Sequence, residues 1–118
     1  MIKEVILMIM MTGGGENPVD ASFIEVETLV ECEERAGRAI AVFPQAGIKY
    51  VAHHCVSSQI KFSDFLHNPE PTGPKYFFNL DFSKTDEKLL SVKSYASVKD
   101  CQDAGGRNCV IAYQDMQR

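Results

Sequence analysis

His53, His54 and Cys55 stand in a row, and with Cys32 and His67 elsewhere in the chain they supply the nitrogen and sulfur donors a zinc site uses. Chemistry centred on His53, Cys55 and Cys32 would be metal- or thiol-dependent catalysis. Two features weigh against it. Adjacent side chains on a regular strand point to opposite faces, so only His53 and Cys55 share one. There is also no second close-spaced ligand pair elsewhere. Gly13-Gly14-Gly15 lacks the Gly-Lys-Ser/Thr ending of a phosphate loop and the spaced glycines of a dinucleotide fingerprint, so it reads as a hairpin loop. No nucleophile-elbow pattern occurs. The residues name no reaction and no cofactor, so a small non-enzymatic binding or interaction protein is the leading expectation, with the metal- or thiol-dependent enzyme as its alternative.

The four cysteines, Cys32, Cys55, Cys101 and Cys109, have a clearer pattern. Cys32 and Cys101 each follow a hydroxyl residue by four positions, in Thr28-Leu29-Val30-Glu31-Cys32 and Ser97-Val98-Lys99-Asp100-Cys101. Cys55 and Cys109 each follow in the next apolar segment. A thiol near a helix N-terminus is activated by the dipole, but Glu31, Glu33, Glu34 and Asp100 oppose thiolate formation, which argues against a redox centre. From Cys32 the helix advances about 16 Å at about 1.5 Å per residue, and a returning strand covers about 23 Å at about 3.3 Å per residue. Cys55 therefore lands near the helix start, and the same count over a shorter stretch returns Cys109 to Cys101. Of the three ways to pair four cysteines, geometry favours Cys32–Cys55 and Cys101–Cys109. Free core thiols are the competing reading, since no convincing leader precedes the chain and a cytoplasmic protein keeps its thiols reduced. An exported, disulfide-stapled protein is the alternative.

These residues need elements to hold them. Thr28 is a favoured N-cap and Glu31 can return a bond to the cap's own amide; Leu29, Cys32, Ala36, Ala39, Ile40 and Phe43 then fall on one stripe, and Pro44 stops the helix. Val5 to Met11 is continuously apolar but too short to cross a bilayer, and reads as a strand covered on both faces. Ser22–Glu27 alternates as a strand leading into the cap, and Ile48–Ser57 returns as another. There Ile48, Tyr50, Ala52 and Val56 share one face and Val51 and Cys55 the other, so either both faces are covered or a bulge intervenes. Tyr76, Phe78, Leu80 and Phe82 alternate with Phe77, Asn79 and Asp81, a half-buried strand. Lys88–Tyr95 follows, then a short helix capped by Ser97 and stopped at Gly105-Gly106, then the strand Asn108–Tyr113. Each half reads strand, strand, helix, strand.

The expected class is α+β: a mainly antiparallel sheet with two helices on one face. At 118 residues one domain is expected over 1–118, with related halves 1–57 and 75–118 joined by a proline-rich linker, 58–74. The hydrophobic share of 45% is ordinary, and a net charge of −4 without any basic run excludes nucleic acid and anionic membrane as main partners. Tyr76, Phe78, Leu80 and Phe82 read as core, but the short second helix looks insufficient to cover them, and left uncovered they would form an apolar surface for a second copy, a protein partner or a small apolar ligand. A homodimer is the expectation. In its short length and lack of motifs the chain resembles orphan proteins of mobile gene cassettes and phage. The capped helix with its cysteine and a later strand cysteine is similar to patterns in small exported bacterial proteins of unknown function. That resemblance carries over no functional residue.

Overall fold

The computed structural model of the chain describes residues 5–13, 18–63, 75–81 and 90–117. In order these form Val5–Gly13 (β1), Val19–Val26 (β2), the helix Leu29–Val42 (α1), Tyr50–Ser58 (β3), Lys61–Phe62 (β4), Tyr76–Asp81 (β5), Ser91–Tyr95 (β6), the helix Val98–Asp103 (α2), Cys109–Ala112 (β7) and Met116–Gln117 (β8). One sheet has the order β3-β1-β2-β7-β5-β6, and β4 pairs with β8 apart from it. Every pairing is antiparallel except β2 with β7. The class is α+β, mainly antiparallel, with two helices, as the patterning predicts.

β1 is apolar throughout because it lies between two cores. Met8 and Met10 pack with Val26, Cys32 and Ala36 under α1, and Ile40 and Phe43 close that cluster. Val5, Leu7, Ile9 and Met11 face the other way, into a core shared with Ala21, Phe23, Phe78, Leu80, Leu90, Val110 and Ala112. On β7 Cys109 and Ile111 alternate with Val110 and Ala112, so the Cys109 partner helix, α2, lies on the same side as α1.

The second core requires no helix. The edge strands β3 and β6 both feed it, through Ala52, Val56 and Val92, and the Leu90 N–H donates to the Ser57 carbonyl at 3.1 Å. The sheet curls until its edges touch. This decides between the two readings of the aromatic stripe. Phe78 is 1% exposed and Leu80 0%, with Phe78 edge-on to Phe23 and to Phe62. Curling covers the stripe where a short helix could not, so Phe78 and Leu80 are core residues and the half-buried Tyr76 packs against them; Phe82 lies outside the described residues. The expected linker 58–74 is also shorter than read: Ser58 ends β3 and Lys61–Phe62 is β4, while residues 64–74 lie outside the described residues.

The two strand-strand-helix-strand halves correspond in detail. In each the first strand is central and its two partners flank it, β3-β1-β2 and β7-β5-β6. The second residue of that strand pairs two positions before the cap, Ile6 with Val26 and Phe77 with Tyr95. Each cap hydroxyl accepts from the third following amide at 3.0 Å, Thr28 from Glu31 and Ser97 from Asp100. Each helix cysteine sulfur lies 4.0 Å from the carbonyl of the central strand's third residue, Leu7 or Phe78. Details of α1 differ from the sequence reading. Glu31 accepts from the Glu27 amide at 3.3 Å rather than from the cap's own, and Leu29 is 53% exposed because it sits before the first buried turn.

β7 has only four residues at the middle of the sheet, and side-chain amides extend it at both ends. At the start, Asn108 Nδ2 donates to the Leu80 carbonyl at 2.9 Å while its N–H donates to Asn79 Oδ1 at 3.0 Å. At the far end the buried Gln114 takes the place of a peptide unit: the Phe23 N–H donates to its Oε1 at 2.8 Å, and its Nε2 donates to the Phe23 and Ser63 carbonyls at 2.7 Å each. This ties β2 to the β4–β8 pair, where Phe62 stacks on Phe23. Gln114→Leu leaves the two buried main-chain groups of Phe23 and the half-buried Ser63 carbonyl without this partner, so we expect urea unfolding to show a loss of about 2–4 kcal/mol. A loss below about 1 kcal/mol would mean that water replaces the amide.

Candidate interaction surface at the α1–β3 extension

The structure pairs the cysteines within each half. Cys32 and Cys55 are at disulfide-bonding distance with Cα atoms 6.0 Å apart, and so are Cys101 and Cys109, also at 6.0 Å. In the loop-entropy model a separation of 23 residues contributes about 3.5 kcal/mol and one of 8 about 2.5 kcal/mol. Gly106 is required beside the second pair, since a Cβ there would sit 2.7 Å from both sulfurs.

With their sulfurs facing each other, Cys32 and Cys55 do not present two thiolates toward His53. Among the described residues no three His, Cys, Asp or Glu side chains converge as metal ligands, and His67 lies outside them. His53 and His54 do point to opposite faces. His53 lies on the α1 side, where its Nε2 is 3.3 Å from Glu33 Oε2 and its Nδ1 2.8 Å from Tyr50 Oη. A neutral ring satisfies both contacts when the Tyr50 hydroxyl donates to Nδ1 and Nε2–H donates to the carboxylate. His54 pairs across to Ile9 on the inner face, between Ala52 and Val56. Burial, and then the neighbouring His53, hold its pKa below the usual histidine value.

The two halves differ most between their cysteines. The first half has fifteen more residues there (23 against 8), spent on the later turns of α1, the following turn and the first half of β3. Its inner side is structural: Ala39, Ile40 and Phe43 close the core beneath α1. Past Phe43 the chain turns through Gly47, at φ 71°, and Ile48 N–H bonds back to the Phe43 carbonyl at 2.9 Å. Lys49 then accepts from Gly13 N–H at 2.9 Å, fixing the extension to the end of β1. Register slips where Met11 pairs with Ala52 and Thr12 with Tyr50, leaving Val51 as a bulge. This accounts for the broken alternation of Ile48–Ser57.

The outer side of the extension is apolar and exposed. Val42 is 54% exposed, Ile48 41%, and Tyr50 and Val51 40% each. The Tyr50–His53–Glu33 contacts hold this ledge against α1. Sequence reading missed it because it weighed alternation as a core signal, whereas the bulge turns Val51 outward. The comparisons add no assignment: family models, curated proteins and solved structures gave no match to this chain. Among the described residues no helix is long and apolar enough to cross a membrane.

His54 gives the ledge's strand a pH dependence. With its folded pKa below the unfolded value of about 6.5, protonation favours the unfolded chain, so stability is full above that value and falls as pH drops through it. We expect the unfolding midpoint in urea to decline between pH 7 and 5, and His54→Gln to flatten that decline. An unchanged slope would show that His54 does not carry it.

Proposed function

We propose that this chain is a small non-enzymatic interaction module that contacts a protein partner through the ledge of Val42, Ile48, Tyr50 and Val51. One observation carries the reading: among the described residues six large apolar side chains are exposed, and apart from Leu29 and Val30 at the helix start they lie between Cys32 and Cys55, where the first half exceeds the plan it shares with the second by fifteen residues. An apolar surface kept outside the common frame has no packing duty to explain it. The test is a photo-reactive phenylalanine analogue placed at Ile48, with Lys99 on α2 as the control position, in the producing cells. A discrete adduct from position 48 and none from position 99 is the expected outcome. Equal labelling, or none from either, counts against the ledge.

The pairing of all four cysteines supports working conditions in which disulfides persist, and so favours the exported alternative over a cytoplasmic one. Protein denatured without reductant and treated with an alkylating reagent should take up no label in its mass spectrum. Four labels per chain would set that reading aside.

A further inference from the structure

Each half has two different edges to offer. The β2 edge of the first half takes β7 of the second in a parallel ladder, Val19 with Val110, Asp20 with Ile111 and Ala21 with Ala112. Aligning Thr28 with Ser97 puts Leu90 at the position of Ala21. Aligning Cys55 with Cys109 puts Ser58 at that of Ala112. In a parallel ladder a residue's N–H bonds the carbonyl preceding its partner, and Leu90 N–H does bond the Ser57 carbonyl. The contact of Leu90, just before β6, with Ser57 of β3 thus repeats one bond of the β2–β7 joint. The two halves meet in a ring, through the β2–β7 ladder at one place and through this single bond at the other.

From this we propose that the chain exchanges halves with a second copy of itself, the first half of each molecule closing the ring with the second half of the other. Two observations carry it. Both cysteine pairs lie within a half, so among the described residues nothing covalent but the connecting chain joins the halves. The β2–β7 seam has three residue pairs, whereas β1 makes eight with β2 and eight with β3. The exchanged ring repeats every seam contact, so packing does not distinguish it from the monomer and concentration sets the balance. Twelve residue steps separate Ser63 from Lys75, which sets an upper reach of about 40 Å for the connection. The joint between β4 and β8, with Ser63 N–H donating to the Asp115 carbonyl at 2.8 Å, would pass intact to the partner's half.

The experiment uses the full chain, refolded from denaturant with its disulfides intact across a range of concentrations, then sized. While monomer predominates, the dimer-to-monomer ratio should rise about tenfold for each tenfold rise in refolding concentration. The isolated dimer should persist for hours on dilution, since separation requires both seams of each ring to open. No dimer at millimolar refolding concentration, or a dimer that re-equilibrates within minutes, overturns exchange. Asp20→Cys with Ile111→Cys places a pair across the β2–β7 seam and reports which chains meet there. In the monomer fraction it should close within one chain, and in the dimer fraction it should run as a covalent dimer on a non-reducing denaturing gel. A dimer fraction that runs as single chains means the copies associate side by side, and exchange is wrong. Should the double variant fail to fold, the dilution measurement on the unsubstituted protein decides alone.

Discussion

Everything in this chain follows from the need to cover the first strand of each half on both faces. β1 carries Met8 and Met10 on one side and Leu7, Ile9 and Met11 on the other, all nearly inaccessible. A single helix can cover only one of them. The other is covered by bending the sheet until side chains from all six strands meet, which brings Leu90 to Ser57. Curling thus supplies apolar cover that a chain of this length lacks helices to provide, and it also leaves both helices outside, on one convex side. The two faces are built differently: the inner core is aromatic, through Phe23, Phe62 and Phe78, while the helix side joins Met8, Met10, Val26 and Ala36 around the Cys32–Cys55 pair.

The helices are held by more than packing. α2 has six residues, fewer than an isolated helix needs to be stable in water. Its cap at Ser97, the Cys101–Cys109 pair and the seat of that sulfur over the Phe78 carbonyl substitute for length. α1 uses the same three devices at Thr28, Cys32 and Leu7, then continues beyond them. The shared devices define a minimal frame of cap, cysteine and central strand, and the remainder of α1 is additional to it.

Much of this frame was legible because it depends on local chemistry. Thr28 and Ser97 announce caps, the apolar run of β1 announces double cover, and cysteine spacing announces which sulfurs can meet. What escaped depends on long-range geometry. Alternation in Tyr76–Asp81 shows that one face is apolar but not whether a helix or a curled sheet will cover it, so residue types alone leave core and surface both open for the stripe. Gln114 looks like an ordinary polar residue until β7 ends one step early beside Phe23. The bulge at Val51 shows in the sequence only as broken alternation, which cover on both faces would equally explain; the register between β1 and β3 decides it. For the candidate surface, the sequence displayed Val42, Ile48, Tyr50 and Val51 as ordinary members of a helix and a strand.

The outward placement of those four residues has a physical consequence for how the molecule is read. A helix extended merely to finish the core would turn its apolar residues inward, as Ala39, Ile40 and Phe43 do. Val42, one step before Phe43, points the other way, and the bulge sends Val51 out beside Tyr50. Keeping such residues in water contributes nothing to folding and raises the tendency to associate. The extension is nonetheless secured at three separate points: Lys49 to Gly13, Ile48 to Phe43, and His53 to both Tyr50 and Glu33. A loop that only joined a helix to a strand would need none of these. A surface that is both apolar and rigid presents a fixed shape, which lowers the ordering cost of binding and suits recognition better than catalysis. The second half, which lacks the extension, shows that the frame closes without it.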